Sequence, residues 1–139
     1  MVRNYFYLVA GLLFIFLAVT HTWFGLETAL PILHGSNIDI GTITIFTFQL
    51  HMIGIQDLTY GAAAILMAFQ KRMEIVKFTA WVIIAIMIAR WVVMAFVTVV
   101  HNIGGLTSLL TSSMAFLVLI VLLFLGTRVK GKYNRTSSA

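Results

Sequence analysis

The chain alternates between long apolar stretches and short polar ones. The four long stretches cover residues 5–26, 43–69, 78–100 and 108–126. An α-helix rises 1.5 Å per residue, so about 20 residues cross the roughly 30 Å hydrocarbon core of a bilayer. Backbone N–H and C=O groups in lipid must bond within their own element, which favours helices. The pattern therefore predicts an all-α integral membrane protein with four spanning helices.

Short connections between these stretches favour antiparallel neighbours, and hence an up-down-up-down four-helix bundle. The connection of residues 27–42 contains the only proline, Pro31, together with several apolar residues. We expect this connection to lie back on the bundle as a short cap. We expect residues 1–127 to form one transmembrane domain, followed by a basic tail at residues 128–139.

Composition supports a membrane location. Apolar residues make up 61% of the chain and charged residues only 9%, whereas soluble domains average roughly 45–50% and about 25%. Too little polar surface is available to coat a water-soluble globule. The chain also contains no cysteine, which excludes disulfides, iron–sulfur clusters and thiolate nucleophiles.

The positive charges indicate how the helices are oriented. Every lysine and arginine except Arg90 precedes the first span, joins the second span to the third, or follows the fourth. The other two connections contain no cation. Because cytoplasmic connections are enriched in lysine and arginine, both termini are predicted to be cytoplasmic. The net charge of +5 is therefore interpreted as a signal for orientation in the bilayer, and no nucleic-acid partner is predicted.

Ionisable side chains inside a membrane are costly, so each one is a hypothesis about function. Those in the predicted spans or at their ends fall in the outer half of the bundle or at its midplane: His21, Glu27, His51, Asp57, Arg90 and His101. By helix rise, His21 and His51 lie roughly 8–12 Å below the outer boundary. Asp57 and Arg90 lie deeper, close to the midplane.

The histidines are predicted to bind a cofactor. His21 and His51 lie on consecutive helices at similar depth, where two imidazoles can ligate a haem iron or another metal. His101 and Glu27, nearer the surface, would complete a metal site, and the ligand types favour copper, iron or zinc. Two alternatives stay open, namely structural histidines that are hydrogen-bonded and a proton or quinone site.

Asp57 and Arg90 are predicted to form a buried ion pair between the second and third spans, because pairing recovers part of the cost of each charge. Such a pair either fixes the two helices or serves as a proton relay or an anion-binding site. Gln56 and Tyr60 lie nearby on the second span and are expected to satisfy the remaining hydrogen-bonding capacity of the pair.

The favoured function is a small metal- or haem-binding redox or accessory subunit of a larger membrane complex. The alternatives are a structural subunit without cofactor and a proton-coupled or small-solute transporter that uses Asp57 and Arg90. The sequence contains no catalytic triad, phosphate loop or nucleotide fingerprint, so no further enzyme activity is predicted. Besides lipid, the expected partners are other copies or other subunits. They would contact either the face of Gly54 and Gly61 or the small-residue face of the fourth span, because small residues allow close helix approach.

Overall fold

A computed structural model describes residues 2–101 and 103–129, and in this part of the chain all regular structure is helical. The α-helices are α1 (Tyr5–Phe24), α2 (Leu30–His34), α3 (Ile40–Phe69), α4 (Met73–His101) and α5 (Leu106–Arg128). A π-helical turn, Gly25–Ala29, joins α1 to α2, and a 3-10 turn, Ile103–Gly105, precedes α5. Residues 130–139 of the predicted basic tail lie outside the described residues.

The prediction of four membrane-spanning helices is confirmed by length and composition. Four continuous helical segments are long and apolar enough to cross a bilayer: Tyr5–His34, Ile40–Phe69, Met73–His101 and Leu109–Arg128. Their outward faces carry many exposed large apolar side chains, such as Phe16, Phe78 and Phe96. A surface of this kind is suited to contact with lipid.

The first connection is much shorter than predicted. Residues 27–34 continue the first span as helix, so most of the predicted connection of residues 27–42 is helical. The backbone N–H of Leu30 bonds to the carbonyl of Gly25, five residues earlier, which widens the turn. A wide turn gives room to the ring of Pro31. In a regular α-helix this ring would clash with the carbonyl four residues earlier.

The starts of α3 and α4 also lie earlier than predicted. Asp39 caps α3, because its Oδ1 accepts a hydrogen bond from the Thr42 N–H at 2.9 Å and its Oδ2 accepts one from the Thr42 hydroxyl at 2.6 Å. The helix therefore begins at Ile40 rather than at residue 43. The fourth helix begins at Met73 rather than at residue 78, so polar residues that were expected in the connection lie in its first turns.

α1 and α3 pack closely through glycines. A methyl group at Gly61 would lie 2.8 Å from Cγ1 of Ile15, and one at Gly11 would lie 2.8 Å from the carbonyl oxygen of Gly61. Gly54 is buried against Thr22 in the same way. The association surface predicted at Gly54 and Gly61 is therefore wrong, because α1 of the same chain already covers both glycines.

The other helices contact α1 and one another through specific polar and aromatic groups. Asn4 caps α1, and its buried Nδ2 donates a 2.8 Å hydrogen bond to the carbonyl of Gly126 near the end of α5. Trp81 of α4 packs edge-on against Phe124 of α5, with ring centroids 5.9 Å apart. In contrast, α3 and α4 contact each other little.

The hydrophobic core lies towards the end of the bundle where α1 begins and α5 ends. All four long helices contribute to it: Tyr7, Ala10, Phe14, Ala64, Met67, Ala68, Val76, Ala80, Ile83, Ile84, Met87, Leu119 and Leu123. The ionisable residues predicted at the site lie beyond this core, towards the opposite end, whereas Tyr60 packs against its edge. The tightly packed and the polar halves of the bundle are thus separate.

Replacing Gly61 with alanine is expected to lower the free energy of unfolding by about 1–3 kcal/mol, because the added methyl group overpacks the contact with Ile15. Thermal unfolding in a mild detergent measures the effect. Gly35→Ala is the matched control, since a methyl group there would approach only backbone oxygens, at 3.5 Å and beyond. Equal stability of the two variants would contradict close packing of α1 on α3.

Replacing Asp39 with alanine is expected to speed amide hydrogen exchange in the first turn of α3 at neutral pH, because the cap is lost. The hydrogen bonds from Thr42 hold the pKa of the Asp39 carboxyl below its ordinary value. The cap therefore stabilises the turn above the ordinary pKa of about 3.9. This stabilisation is lost as the pH falls through the lower pKa of the folded state.

Exchange of residues 40–44 is compared between wild type and Asp39→Ala at each pH. Ser36→Ala is the control, since Ser36 bonds to Leu33 in the same connection. The difference between wild type and Asp39→Ala should shrink below pH about 3.9. A difference that persists unchanged in acid would show that the carboxylate is not what holds the turn.

Candidate functional site

The structure brings together the two residues predicted to form an ion pair. Nη1 of Arg90 on α4 donates a hydrogen bond to Oδ1 of Asp57 on α3 at 3.1 Å. The two side chains are 26% and 15% exposed, respectively. The guanidinium carbon also lies 5.3 Å from the ring centroid of Phe116 on α5, in a cation–π arrangement. The charged pair thus connects three helices.

His21 of α1 belongs to the same neighbourhood. The contacts of Thr22 with Gly54 and of Gly25 with Leu50 place residue 21 opposite about residue 55 of α3. At 1.5 Å per residue, His21 is roughly 3 Å from the level of Asp57. It lies within electrostatic range of both Asp57 and Arg90. We call His21, Asp57 and Arg90 the charged cluster.

The other predicted cofactor ligands are placed differently. His51 lies roughly 6 Å from the level of His21 by the same register, and its side chain is exposed, as is that of His21. His101 and Glu27 are exposed as well.

Within residues 2–101 and 103–129, no three histidine, aspartate or glutamate side chains are grouped so that they could hold one metal ion. The predicted four-residue metal site is therefore not assembled in the structure. A role of His21 and His51 as haem or metal ligands stays a prediction, which an absorption spectrum and a metal analysis of the purified protein would test.

Gln56 and Tyr60 do not support the ion pair in the predicted way. Nε2 of Gln56 donates a 2.6 Å hydrogen bond to the Tyr60 hydroxyl, one helical turn away. The Tyr60 ring in turn packs edge-on against Phe14, with centroids 5.7 Å apart. Side chains four residues apart on a helix lie next to each other, so Gln56 and Tyr60 bond to each other on the surface of α3 beside the charged cluster.

One interaction near the cluster was not predicted. Nε1 of Trp91, the residue after Arg90, donates a 2.7 Å hydrogen bond to Oγ of Ser113 on α5. The Ser113 hydroxyl donates to the carbonyl of Leu109 at 2.7 Å. The sequence signals this bond only weakly, through a serine and a tryptophan in two neighbouring apolar spans. It fixes α4 to α5 immediately beside Arg90.

The charged cluster combines a group that can bind a proton with a group that can bind an anion. A carboxylate and a guanidinium are stable in a low-dielectric site only as a pair. Protonation of Asp57 removes its charge and leaves Arg90 without a counter-ion.

Comparisons of the chain with models of known protein families, with curated protein sequences and with solved structures found no match.

Removing one charge of the pair is expected to destabilise the protein more than removing both. Asp57→Leu or Arg90→Leu alone leaves an unpaired charge, which costs about 3 kcal/mol or more. The double variant leaves none, so its free energy of unfolding should lie close to that of the wild type. Unfolding in mild detergent of the four proteins gives the coupling energy. Additive effects of the two substitutions would contradict a direct interaction.

Proposed function

We propose that this chain is a multi-pass membrane protein in which a proton on Asp57 controls the contact between α3 and α4. In this proposal the chain acts as a proton-coupled carrier of a small solute. The single observation that carries the proposal is the salt bridge of Asp57 with Arg90. It joins two helices that otherwise contact each other little.

The proposed topology is up-down-up-down, with both termini in the cytoplasm. Contacts that run in opposite chain directions support the up-down order for α1 with α3 and for α4 with α5. The contacts are Gly11 with Ile65 and Gly25 with Leu50 in the first pair, and Trp81 with Phe124 and Trp91 with Ser113 in the second. Asn4, before the start of α1, also bonds to Gly126 near the end of α5. The cations near the ends of the spans support the sidedness. The charged cluster then lies between the outer half of the membrane and its midplane.

The proton chemistry follows from the charged and titratable groups near Asp57. Arg90 of α4 bonds to it directly, and His21 of α1 lies within electrostatic range. Asp57 in its ionised form holds Arg90 and keeps α3 beside α4. When Asp57 is protonated, the charge attraction is lost, and α3 and α4 are free to separate because little other packing joins them. His21 is the group placed to pass the proton to or from the carboxylate.

Association with further copies or with other subunits is part of the same proposal. One chain of four spans encloses little interior for a solute. The side chains of Asp57 and Arg90 are partly exposed. A neighbouring subunit would cover the exposed part of the pair.

The proposal is tested by measuring the distance between α3 and α4 as a function of pH. The chain contains no cysteine, so Met52→Cys and Val93→Cys introduce two unique spin labels at exposed positions. Double electron–electron resonance in nanodiscs is expected to show a longer and broader distance at acidic pH. Asp57→Asn, which mimics the protonated carboxyl, should give that longer distance already at neutral pH.

Two controls make the result specific. Asp39→Asn changes a carboxyl outside the cluster and should keep the distance of the wild type at neutral pH. His21→Gln should keep the acid response, which separates protonation of Asp57 from protonation of the imidazole. A distance that changes neither with pH nor in Asp57→Asn would overturn the proposal.

A further inference from the structure

Arg90 is only partly used by its partner. A guanidinium has five N–H donors in a planar fork that matches both oxygens of a carboxylate. Here it makes one hydrogen bond, from Nη1 to Oδ1 of Asp57 at 3.1 Å. No second hydrogen bond of this side chain is found to any other described residue. The paired state therefore leaves most of the binding capacity of Arg90 unfilled.

The position of Arg90 allows another group to approach. Its side chain is 26% exposed, and α3 and α4 contact each other little. One side of the guanidinium is covered by the ring of Phe116, and Trp91 beside it is fixed to Ser113. An anion that enters between α3 and α4 would meet the free donors of Arg90 against an apolar wall.

The charge balance selects the ligand. With Asp57 ionised, the pair with Arg90 is neutral. With Asp57 protonated, one positive charge remains, and a monoanion restores neutrality in the low-dielectric site. A dianion would leave one negative charge, and a neutral molecule would leave Arg90 uncompensated.

We propose that Arg90 binds the carboxylate of an organic acid with one negative charge and an apolar body, in exchange for Asp57. Each ligand anion binds together with one proton on the Asp57 carboxyl, so the complex is electrically neutral. No covalent bond forms or breaks. The proposal rests on the proposed function, because it names the solute that the proton accompanies.

The carboxylate can come from two sources with the same chemistry. A small organic acid reaches the site from water. A fatty acid reaches it from the bilayer by passing between α3 and α4, which contact each other little. Butyrate and decanoate are probes for these two sources. Binding of both or of butyrate alone assigns an aqueous acid, whereas binding of decanoate alone assigns a membrane acid.

The test is isothermal titration calorimetry of the nanodisc-embedded protein with each probe, in two buffers of different ionisation enthalpy. Empty nanodiscs supply the background for decanoate partitioning. The wild type, at a pH where Asp57 is ionised, is expected to take up one proton per bound carboxylate. Asp57→Asn should bind the probe without proton uptake, because its side chain already lacks the charge.

Arg90 variants test the anion site. Arg90→Gln is expected to bind at least about tenfold more weakly, since a charge-assisted hydrogen bond is lost. Arg90→Lys keeps the charge but loses the planar fork, so its affinity should lie between those of the wild type and Arg90→Gln. Asp39→Asn is the control and should match the wild type in affinity and in proton uptake. Asp57→Asn provides a second, independent readout that does not depend on the fold of an arginine variant.

Three outcomes overturn the ligand assignment: no binding of either probe, binding without proton uptake in the wild type, and unchanged affinity in folded Arg90→Gln. The spin-label distances separate this failure from failure of the proposed function. If the α3–α4 distance responds to pH and to Asp57→Asn but no carboxylate binds, only the ligand class is wrong. If the distance does not respond either, both proposals fall.

Discussion

The close approach of α1 and α3 at their glycines determines where the polar side chains meet. With only a hydrogen atom at Gly11, Gly54 and Gly61, the two helix backbones can come into direct contact. Contact at this distance fixes the relative level of residues along the two helices. It places His21 within electrostatic range of Asp57, one helical turn from the level of His51. The composition of the charged cluster is thus a consequence of helix packing.

The bundle distributes its packing unevenly, and this has a consequence for motion. Tyr7, Phe14, Val76 and Leu123 are almost completely buried in the core at one end. Near Asp57 and Arg90, α4 is held to α3 by the salt bridge and to α5 by the bond of Trp91 to Ser113. Local opening requires less free energy where fewer buried apolar contacts must break. The polar end can therefore change while the apolar end remains packed.

Much of the fold could be predicted from the sequence, because hydrocarbon leaves the backbone few choices. The four spans follow from apolar length alone, and the pairing of Asp57 with Arg90 follows from depth and charge. The ends of the helices could not be predicted as well. Pro31 lies inside a helix because a π-helical turn precedes it, and Asp39 caps α3 through Thr42, which depends on local geometry rather than on hydropathy.

The details of the site depend on helix rotation, which the sequence does not determine. Gln56 was expected to form hydrogen bonds with the ion pair, yet its amide donates to Tyr60 one turn along the same helix. Gly54 and Gly61 marked a face for close packing, but the sequence could not distinguish a helix of the same chain from one of another subunit. His51 similarly lies on an exposed face, a turn away from the level of His21.

A salt bridge at this position is difficult to explain by stability alone. Two well-packed apolar side chains of similar volume often stabilise a buried site as well as an ion pair, or better. The pair of Asp57 and Arg90 lies where α3 and α4 provide little other contact, so the free energy that joins the helices there depends on one ionisable carboxylate. A contact of this kind can be changed by a single proton, whereas an apolar contact cannot. His21, the other titratable group within electrostatic range of Asp57, lies on α1, which packs on α3 through close glycine contacts.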